Sequence, residues 1–410
     1  MKKLLVLCSM GIMAMSIASC DGKETKINYQ EGNDILNAAA DQTIANIKEV
    51  ANGDYIGFGL EGNGNVAINL EYVDASNITE SMPVLHKVGL AVDADAKLKC
   101  NLNTAELDQT PADFSNFESY RSYTANSTIK LDESETKTSA SEIVYHKNNI
   151  IKTKEEGKDV VVEECTPLEL APIAEDILDI VDEIKNLQSN TPIIAVPSIS
   201  VDPSVIENLS TKWNDFTTGK ITSSELIDYV NSVAGQDIFE NAEPGVKDCV
   251  ICILNIAKDA DPSKYFNYTK TTSKNSTTLS SSFAYSQWKT DLLAGFDKEI
   301  AAIKVPTSPV GVMLTSIKMM VDGFLPTSFK MDYTLNLNKQ NVVTGFAVDF
   351  NIAGSIPTYM LSTIVSLINL KVNLIPDDIS LETSMVNYDI SASASMLAEF
   401  GNQAVVIPTL

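Results

Sequence analysis

The stretch Phe329–Ile352, FKMDYTLNLNKQNVVTGFAVDFNI, carries the clearest pattern in this chain of 410 residues. Every second residue is apolar, first Phe329, Met331, Tyr333, Leu335 and Leu337, and after a polar break Phe346, Val348, Phe350 and Ile352. Strict alternation predicts half-buried strands, and the break at 339–341 predicts a turn between them. The pattern therefore indicates an antiparallel hairpin with one apolar and one polar face, whose arms exceed about 30 Å at about 3.3 Å per residue.

Working outward, both ends of the chain combine amphipathic helices with long strands. The helices are expected at Asn33–Ala51, Trp288–Ile303, Val310–Val321 and Thr358–Asn369. The strands are expected at Lys87–Leu102, Ser122–Leu131, Glu142–Lys152, Tyr265–Phe283, Leu370–Leu374 and Ser380–Ser391.

The middle of the chain changes to a helical period. Six residues share one helix face, namely Ile173, Ile177, Ile180, Val181, Ile184 and Leu187. A capping box at Thr222–Glu225 starts a later helix of the same block.

These patterns predict an α+β fold: a large curved antiparallel sheet with amphipathic helices packed on its apolar face, plus a central helical block. The expected organisation is a leader at 1–19, a flexible tether at 20–32, and a helix with antiparallel strands at 33–165. The helical block at 166–262 follows, and helices and strands at 263–410 complete the sheet.

The N-terminus has the layout of a secretory leader. Lys2 and Lys3 precede an apolar run to Met15, which is too short to span a bilayer as a helix. The order Ile17, Ala18, Ser19, Cys20 resembles the bacterial lipobox. The resemblance implies that a signal peptidase recognises residues 17–19 and cleaves before Cys20, whose thiol carries a diacylglyceryl group. An ordinary leader with an incidental cysteine is the alternative.

A lipobox implies attachment to a membrane of the bacterial cell envelope. It does not determine whether the protein is held at the inner membrane, at the outer membrane or on the cell surface. Two or three acyl chains make such an anchor effectively permanent. The chain itself is acidic, with 54 Asp and Glu against 30 Lys and Arg and a formal net charge of −24. Nucleic acid is therefore not an expected partner, because its binding requires clustered basic residues.

The remaining motifs do not predict catalysis. The letters Gly57–Gly62 fit a dinucleotide loop, but a strand follows them rather than a helix, so they indicate hairpin glycines. Cys249 and Cys252 have redox spacing but lie in an apolar helical segment, which favours packed thiols or structural disulfides. The calcium-loop letters at Asp259 lack the central glycine. With two histidines in the chain, we expect no enzyme, no cofactor and no metal site.

A lipobox followed by a helix and long alternating strands is similar to the LolA/LppX-type lipoprotein carriers, and Phe329–Ile352 carries most of the likeness. The similarity implies a bent sheet folded round helices, with an apolar cavity for acyl chains. The expected function is binding or carrying a lipid-like ligand, and the alternative is an interaction or scaffold lipoprotein with a filled core. Residues expected to face inward, and to contact a ligand if a cavity exists, are Phe329, Met331, Tyr333, Leu335, Phe346, Val348 and Phe350.

We expect the mature protein to begin at Cys20 and to carry a diacylglyceryl thioether on that thiol, because the lipobox order directs both steps. Intact mass spectrometry of the protein purified from its native envelope measures both the cleavage site and the added acyl mass. A free Cys20 thiol, or a chain recovered in the cytosol, would contradict the prediction.

Overall fold

The structure, a computed structural model, describes residues 23–73, 87–110, 112–186, 203–357 and 385–410. The strands are β1 (Lys23–Ile27), β2 (Tyr55–Val73), β3 (Lys87–Asn103), β4 (Glu118–Leu131), β5 (Ser134–Lys147), β6 (Ile150–Glu155), β7 (Val161–Glu164), β8 (Phe266–Thr272), β9 (Ser276–Phe283), β10 (Ser328–Asn338), β11 (Val343–Pro357) and β12 (Met385–Gly401). The helices are α1 (Tyr29–Ala51), α2 (Thr104–Leu107), α3 (Pro167–Lys185), α4 (Pro203–Thr217), α5 (Ser223–Ala234), α6 (Val246–Asp259), α7 (Tyr285–Ala302) and α8 (Pro309–Phe324).

The described strands form one 12-stranded sheet in the order β1-β8-β9-β10-β11-β12-β2-β3-β4-β5-β6-β7. The sheet is antiparallel, curved and unclosed, so β1 and β7 are its edges. Strand β12 pairs with β2 along its whole length, from Met385 opposite Val73 to Gly401 opposite Gly57. The predicted α+β fold with a large curved antiparallel sheet is confirmed.

The hairpin predicted at Phe329–Ile352 is present as β10 and β11. Its turn is closed by Asn338, whose Oδ1 accepts hydrogen bonds from the backbone N–H groups of Gln340 (2.9 Å) and Val342 (3.0 Å). Asn341 has a φ of 61°, a left-handed conformation that Asn adopts more readily than most residues. The polar break therefore forms a tight turn because two asparagines satisfy and shape its backbone.

The chain divides into two compact units, which we call the sheet unit and the helical unit. The sheet unit comprises the described residues of Met1–Thr191, Asn267–Ser282 and Lys330–Leu410, and the helical unit those of Pro192–Phe266 and Phe283–Phe329. The helical block expected at 166–262 is helical, but α3 belongs to the sheet unit and α4, α5 and α6 belong to the helical unit.

Each unit has its own core. In the sheet unit, α1 and α3 pack on the apolar face of the sheet, with Val50, Leu102, Phe114, Leu170 and Val181 among the buried residues. In the helical unit, residues of α6, α7 and α8 meet at Cys249, Ile256, Phe296 and Leu314. In the sheet unit, Val181 belongs to the face of α3 that the helical periodicity predicts.

Three local expectations differ from the structure. The expected tether at 20–32 contains β1, which pairs with β8, and the start of α1, which Asn28 caps by accepting from the Glu31 N–H at 2.9 Å. Backbone pairing does not require apolar side chains, so polar Lys23–Ile27 can still add an edge strand. The glycines at 57–64 lie inside the continuous strand β2 and not in a hairpin.

The third difference concerns α8, since the segment Val310–Val321 is apolar enough in sequence for a buried helix. Leu314 is completely buried, whereas the opposite side exposes Val312, Met319, Met320 and Phe324. The sequence of α8 is apolar on all sides, so it could not show whether the helix is buried or exposes an apolar stripe.

Gly57 is required by the C-terminal segment that crosses β2. A Cβ atom at this position would lie 1.8 Å from the carbonyl oxygen of Gln403. The same segment is fixed by Asn101, whose side chain donates to the Val405 carbonyl (2.9 Å) and accepts from the Val405 N–H (2.8 Å). The close approach explains why only glycine fits on this face of the strand.

We expect Gly57→Ala to lower the free energy of unfolding by about 1–3 kcal/mol, the usual cost of overpacking, because the Gln403 carbonyl must move away. Gly64→Ala is the matched control in the same strand, since its Cβ would lie 3.6 Å from its nearest neighbour, the Ser393 carbonyl oxygen. Chemical denaturation of both variants measures the difference. An equal loss of unfolding free energy in the two variants would contradict the conclusion that the Gln403 carbonyl requires glycine at position 57.

Candidate functional site

A cavity of about 670 Å³ lies in the sheet unit, lined by one face of the sheet and by helices α1 and α3. The lining residues come from β12, β2, β3, β4, β5 and β6 on the sheet side. Most are aliphatic or aromatic. The volume is within the range of roughly 300–1,000 Å³ that is usual for small-molecule sites.

The sheet wall is built from residues that the strand registers bring into rows on one face. One row runs across five strands through Leu60, Leu98, Arg121, Val144 and Thr153. The adjacent row runs through Phe400, Phe58, Cys100, Ser119, His146 and Ile151. All eleven line the cavity, because side chains two residues apart on a strand point to the same face.

The helix wall is built mainly by α3. Its cavity residues are Ile173, Ile177, Ile180, Val181 and Ile184, which are five of the six residues that the sequence places on one helix face. Leu187, the sixth, lies outside the described residues. The helix starts at a capping box in which Thr166 and Glu169 bond reciprocally, with the Thr166 N–H 2.7 Å from Glu169 Oε2. This cap fixes where the isoleucine face begins.

The helices cover the sheet incompletely. Ile173 and Ile180 remain 37% and 45% exposed although they line the cavity. Large apolar side chains with this exposure are rim residues of an open pocket rather than core. The cavity is therefore accessible along α3.

His146 lies at the buried end of the cavity between two aromatic rings. Its ring centroid is 5.8 Å from that of Phe114 and 4.7 Å from that of Phe117. Its Nε2 donates to the Asn148 carbonyl oxygen at 2.7 Å, so Nδ1 is the unprotonated nitrogen of the neutral ring. Burial lowers the pKa of His146, and the hydrogen bond to Asn148 opposes this shift in part. The ring is thus a neutral, mostly apolar part of the wall.

Cys100 is also neutral. Burial raises the pKa of its thiol to about 12, so the thiolate needed for nucleophilic or redox chemistry is not populated near neutral pH. In the helical unit, burial raises the pKa of Cys249, and burial together with a hydrogen bond to Glu299 raises the pKa of Cys252 to about 11. These two thiols and those of Cys100 and Cys165 are unpaired. The helical interpretation of the CxxC segment is confirmed by α6.

Charged groups occur at the exposed rim of the cavity. Arg121 Nη2 lies 3.5 Å from Glu142 Oε2, and the two side chains are 65% and 27% exposed. Arg121 is the only arginine of the chain. Among the described residues, this loose ion pair is the one polar contact of the Arg121 side chain, and the guanidinium makes no hydrogen bond there.

The seven strand residues proposed from the sequence do not line the cavity. Phe346, Val348 and Phe350 pair across β12 with Met396, Ala394 and Ala392, whose β2 partners Gly62, Gly64 and Val66 lie on the same face as Phe58 and Leu60. They therefore occupy the cavity face of the sheet at a distance from the cavity.

The other four have structural contacts in the described chain. Tyr333 donates a hydrogen bond to the Tyr268 hydroxyl at 2.9 Å, and Leu335 is buried opposite Leu279. In the helical unit, Phe329 packs against Phe283 and Tyr285. Met331 is half-buried. The lipobox residues Ile17, Ala18, Ser19 and Cys20 lie outside the described residues.

In the ranges that the structure describes, no three His, Cys, Asp or Glu side chains are placed to hold a metal ion. Among the described helices, none combines the length and apolar character needed to cross a bilayer.

Comparisons with protein-family models, with curated proteins and with solved structures found no significant match to the chain. The similarity to the LolA/LppX-type carriers therefore stays a prediction from the strand pattern.

We expect stability to fall as the pH drops below about 6.5, because the unfolded chain takes up a proton on His146 before the folded chain does. The folded-state pKa is lowered, so the free energy of unfolding rises with pH in this window, by at most about 1.4 kcal/mol per pH unit. Thermal denaturation between pH 5.5 and 7.5 measures the slope. His146→Gln keeps a donor for Asn148 and should flatten the slope.

His86→Gln is the matched control, since it removes the other histidine of the chain. It should keep the slope of the parent protein. If the slope survives in His146→Gln but disappears in His86→Gln, the pH dependence belongs to His86 and the prediction is contradicted.

Proposed function

We propose that this protein is a membrane-anchored lipoprotein of the bacterial cell envelope that binds or carries an apolar or amphipathic, lipid-like ligand without catalysing a reaction. The observation that carries the proposal is the apolar cavity of about 670 Å³ between the sheet and helices α1 and α3. The anchor is the contribution of the lipobox at Cys20.

The composition of the cavity supports a lipid-like occupant. Helices α1 and α3 contribute only aliphatic residues to it, and β12, β2 and β3 contribute only apolar ones. An apolar chain gains about 0.8 kcal/mol for each CH₂ group that it buries. A polar metabolite would instead lose hydrogen bonds to water that this wall does not replace.

The chemistry of the polar lining residues supports binding rather than catalysis. Ser119 and His146 are direct cross-strand partners, but no hydrogen bond joins them in the described structure. His146 uses Nε2 on the Asn148 carbonyl, so no carboxylate orients its ring as a catalytic triad requires. Cys100 is protonated because of its raised pKa.

A second candidate is an interaction lipoprotein that binds another protein at its surface. The exposed stripe on α8, formed by Val312, Met319, Met320 and Phe324, favours it, because apolar patches of this kind mark interaction surfaces. The two functions differ in whether the sheet unit holds a small molecule.

We expect the purified body of the protein to release a lipid-like molecule on denaturation and extraction into organic solvent, as measured by mass spectrometry. The body stripped of this molecule should take up a fluorescent fatty acid saturably. A clean extract combined with no saturable uptake would contradict the proposal and favour the second candidate.

Variants of strand β4 localise the binding. Ser119→Phe places a ring inside the cavity and should reduce uptake at least tenfold. Thr124→Phe adds the same ring on the opposite, exposed face of the same strand and should leave uptake unchanged. Melting temperatures of both variants show that they are folded. Equal uptake by the two variants would place the ligand elsewhere.

A further inference from the structure

The cavity is polar on one side only. Its five polar lining residues are Ser119, Arg121, Glu142, His146 and Thr153. All of them lie on β4, β5 and β6, whereas the lining residues of β12, β2 and β3 are apolar without exception. Because neighbouring strands are about 4.8 Å apart, the apolar part extends about 14 Å from β4 to β12. The cavity is therefore amphipathic in a direction across the strands.

This division fixes the orientation of an amphiphile. A hydrocarbon tail is stable against Phe58, Leu98 and Phe400, where water has no hydrogen-bonding partner. A polar headgroup placed on that side would lose its hydrogen bonds. The headgroup must therefore lie at β4 and β5, next to the exposed rim where Arg121 reaches solvent.

The groups at the rim favour an anionic headgroup. Arg121 Nη2 lies 3.5 Å from Glu142 Oε2 and the Arg121 side chain is 65% exposed, so one of the two bidentate edges of the guanidinium, Nε–Nη2 or Nη1–Nη2, can still face a second oxyacid. A guanidinium binds carboxylate and phosphate oxygens through two parallel N–H donors. The Ser119 and Thr153 hydroxyls make no hydrogen bond with other described residues and supply further donors on the same face.

The negative charge of the whole chain does not oppose this arrangement strongly. The formal charge of −24 is spread over 410 residues, and at physiological ionic strength exposed charges beyond about 8 Å are largely screened. On the sheet side of the rim, Glu142 is paired with Arg121, and its neighbour across the strands, Glu155, forms an ion pair with Lys158. The guanidinium is the group best placed to contact a headgroup.

Resting on the proposed function, we infer that the ligand is a long-chain amphiphile with an anionic oxyacid headgroup, held by Arg121, with its tail lying across β3 and β2 toward β12. Carboxylate and phosphate headgroups share this chemistry, and the experiment separates them.

The test is competition for the bound fluorescent fatty acid by four compounds with the same 16-carbon chain: hexadecanoic acid, hexadecyl phosphate, hexadecanol and hexadecylamine. We expect the acid or the phosphate to bind at least tenfold more tightly than the alcohol and the amine, and their order identifies the headgroup. Alcohol or amine binding equal to or tighter than both anions would overturn the inference and leave the proposed function intact. If none of the four competes saturably, the proposed function fails as well.

A matched pair of variants on β4 assigns the effect to one side chain. Arg121→Gln should weaken binding of the preferred anion about tenfold, equivalent to about 1.4 kcal/mol, and should leave hexadecanol binding unchanged. Lys130→Gln makes the same charge change on the same strand but on the opposite face, where Lys130 pairs with Glu135, and should leave both unchanged. An equal loss of anion binding in both variants would overturn the role of Arg121. So would a loss of hexadecanol binding in Arg121→Gln as large as the loss of anion binding.

Discussion

The antiparallel pairing of β12 with β2 is the interaction on which the sheet depends. It joins residues that lie far apart in the sequence, such as Val73 and Met385, along all 17 residues of β12. In the strand order, β12 is the only link between β8–β11 and the β2–β7 strands. Phe400 of β12 is also the last residue of the row that lines the cavity. The continuity of the sheet and the apolar end of the cavity thus depend on the same pairing.

The local parts of this fold could be predicted because they follow short periods. Alternation with period 2 was sufficient for β10 and β11, and the 3.6-residue period of Ile173, Ile177 and Ile180 predicted the apolar face of α3. Only the structure shows that this face lines the cavity. The polar turn at Asn338 and Asn341 was equally visible, because turn chemistry is local.

The sheet wall of the cavity could not be predicted in the same way. Leu98, Arg121 and Val144 become neighbours only through the registers of β3, β4 and β5, which the alternation within a single strand does not give. The inward face of β4 also mixes polar and apolar residues, so its sequence does not alternate cleanly. The residues that blur the alternation, Ser119 and Arg121, are those that give the cavity its polar side. The regular alternation of Phe329–Ile352 therefore pointed to β10 and β11, whose residues do not line the cavity.

Burial and exposure divide the ionisable groups of the cavity into two sets. Where the wall is dry, the environment keeps Cys100 and His146 uncharged, since each has its pKa moved toward the neutral form by burial. Charge persists only at the rim, where Arg121 and Glu142 remain in contact with water. The polarity of the cavity therefore follows the access of solvent.

The early start of β1 limits how far the folded body can stand from a bilayer. If Cys20 carries the acyl chains, three peptide units separate it from Lys23, the first residue paired in the sheet, and they can span at most about 11 Å. The sheet edge formed by β1 then lies within about 11 Å of the acylated cysteine, because no long flexible linker separates the two. With that anchor, the reach of the proposed carrier is limited to the membrane in which it sits.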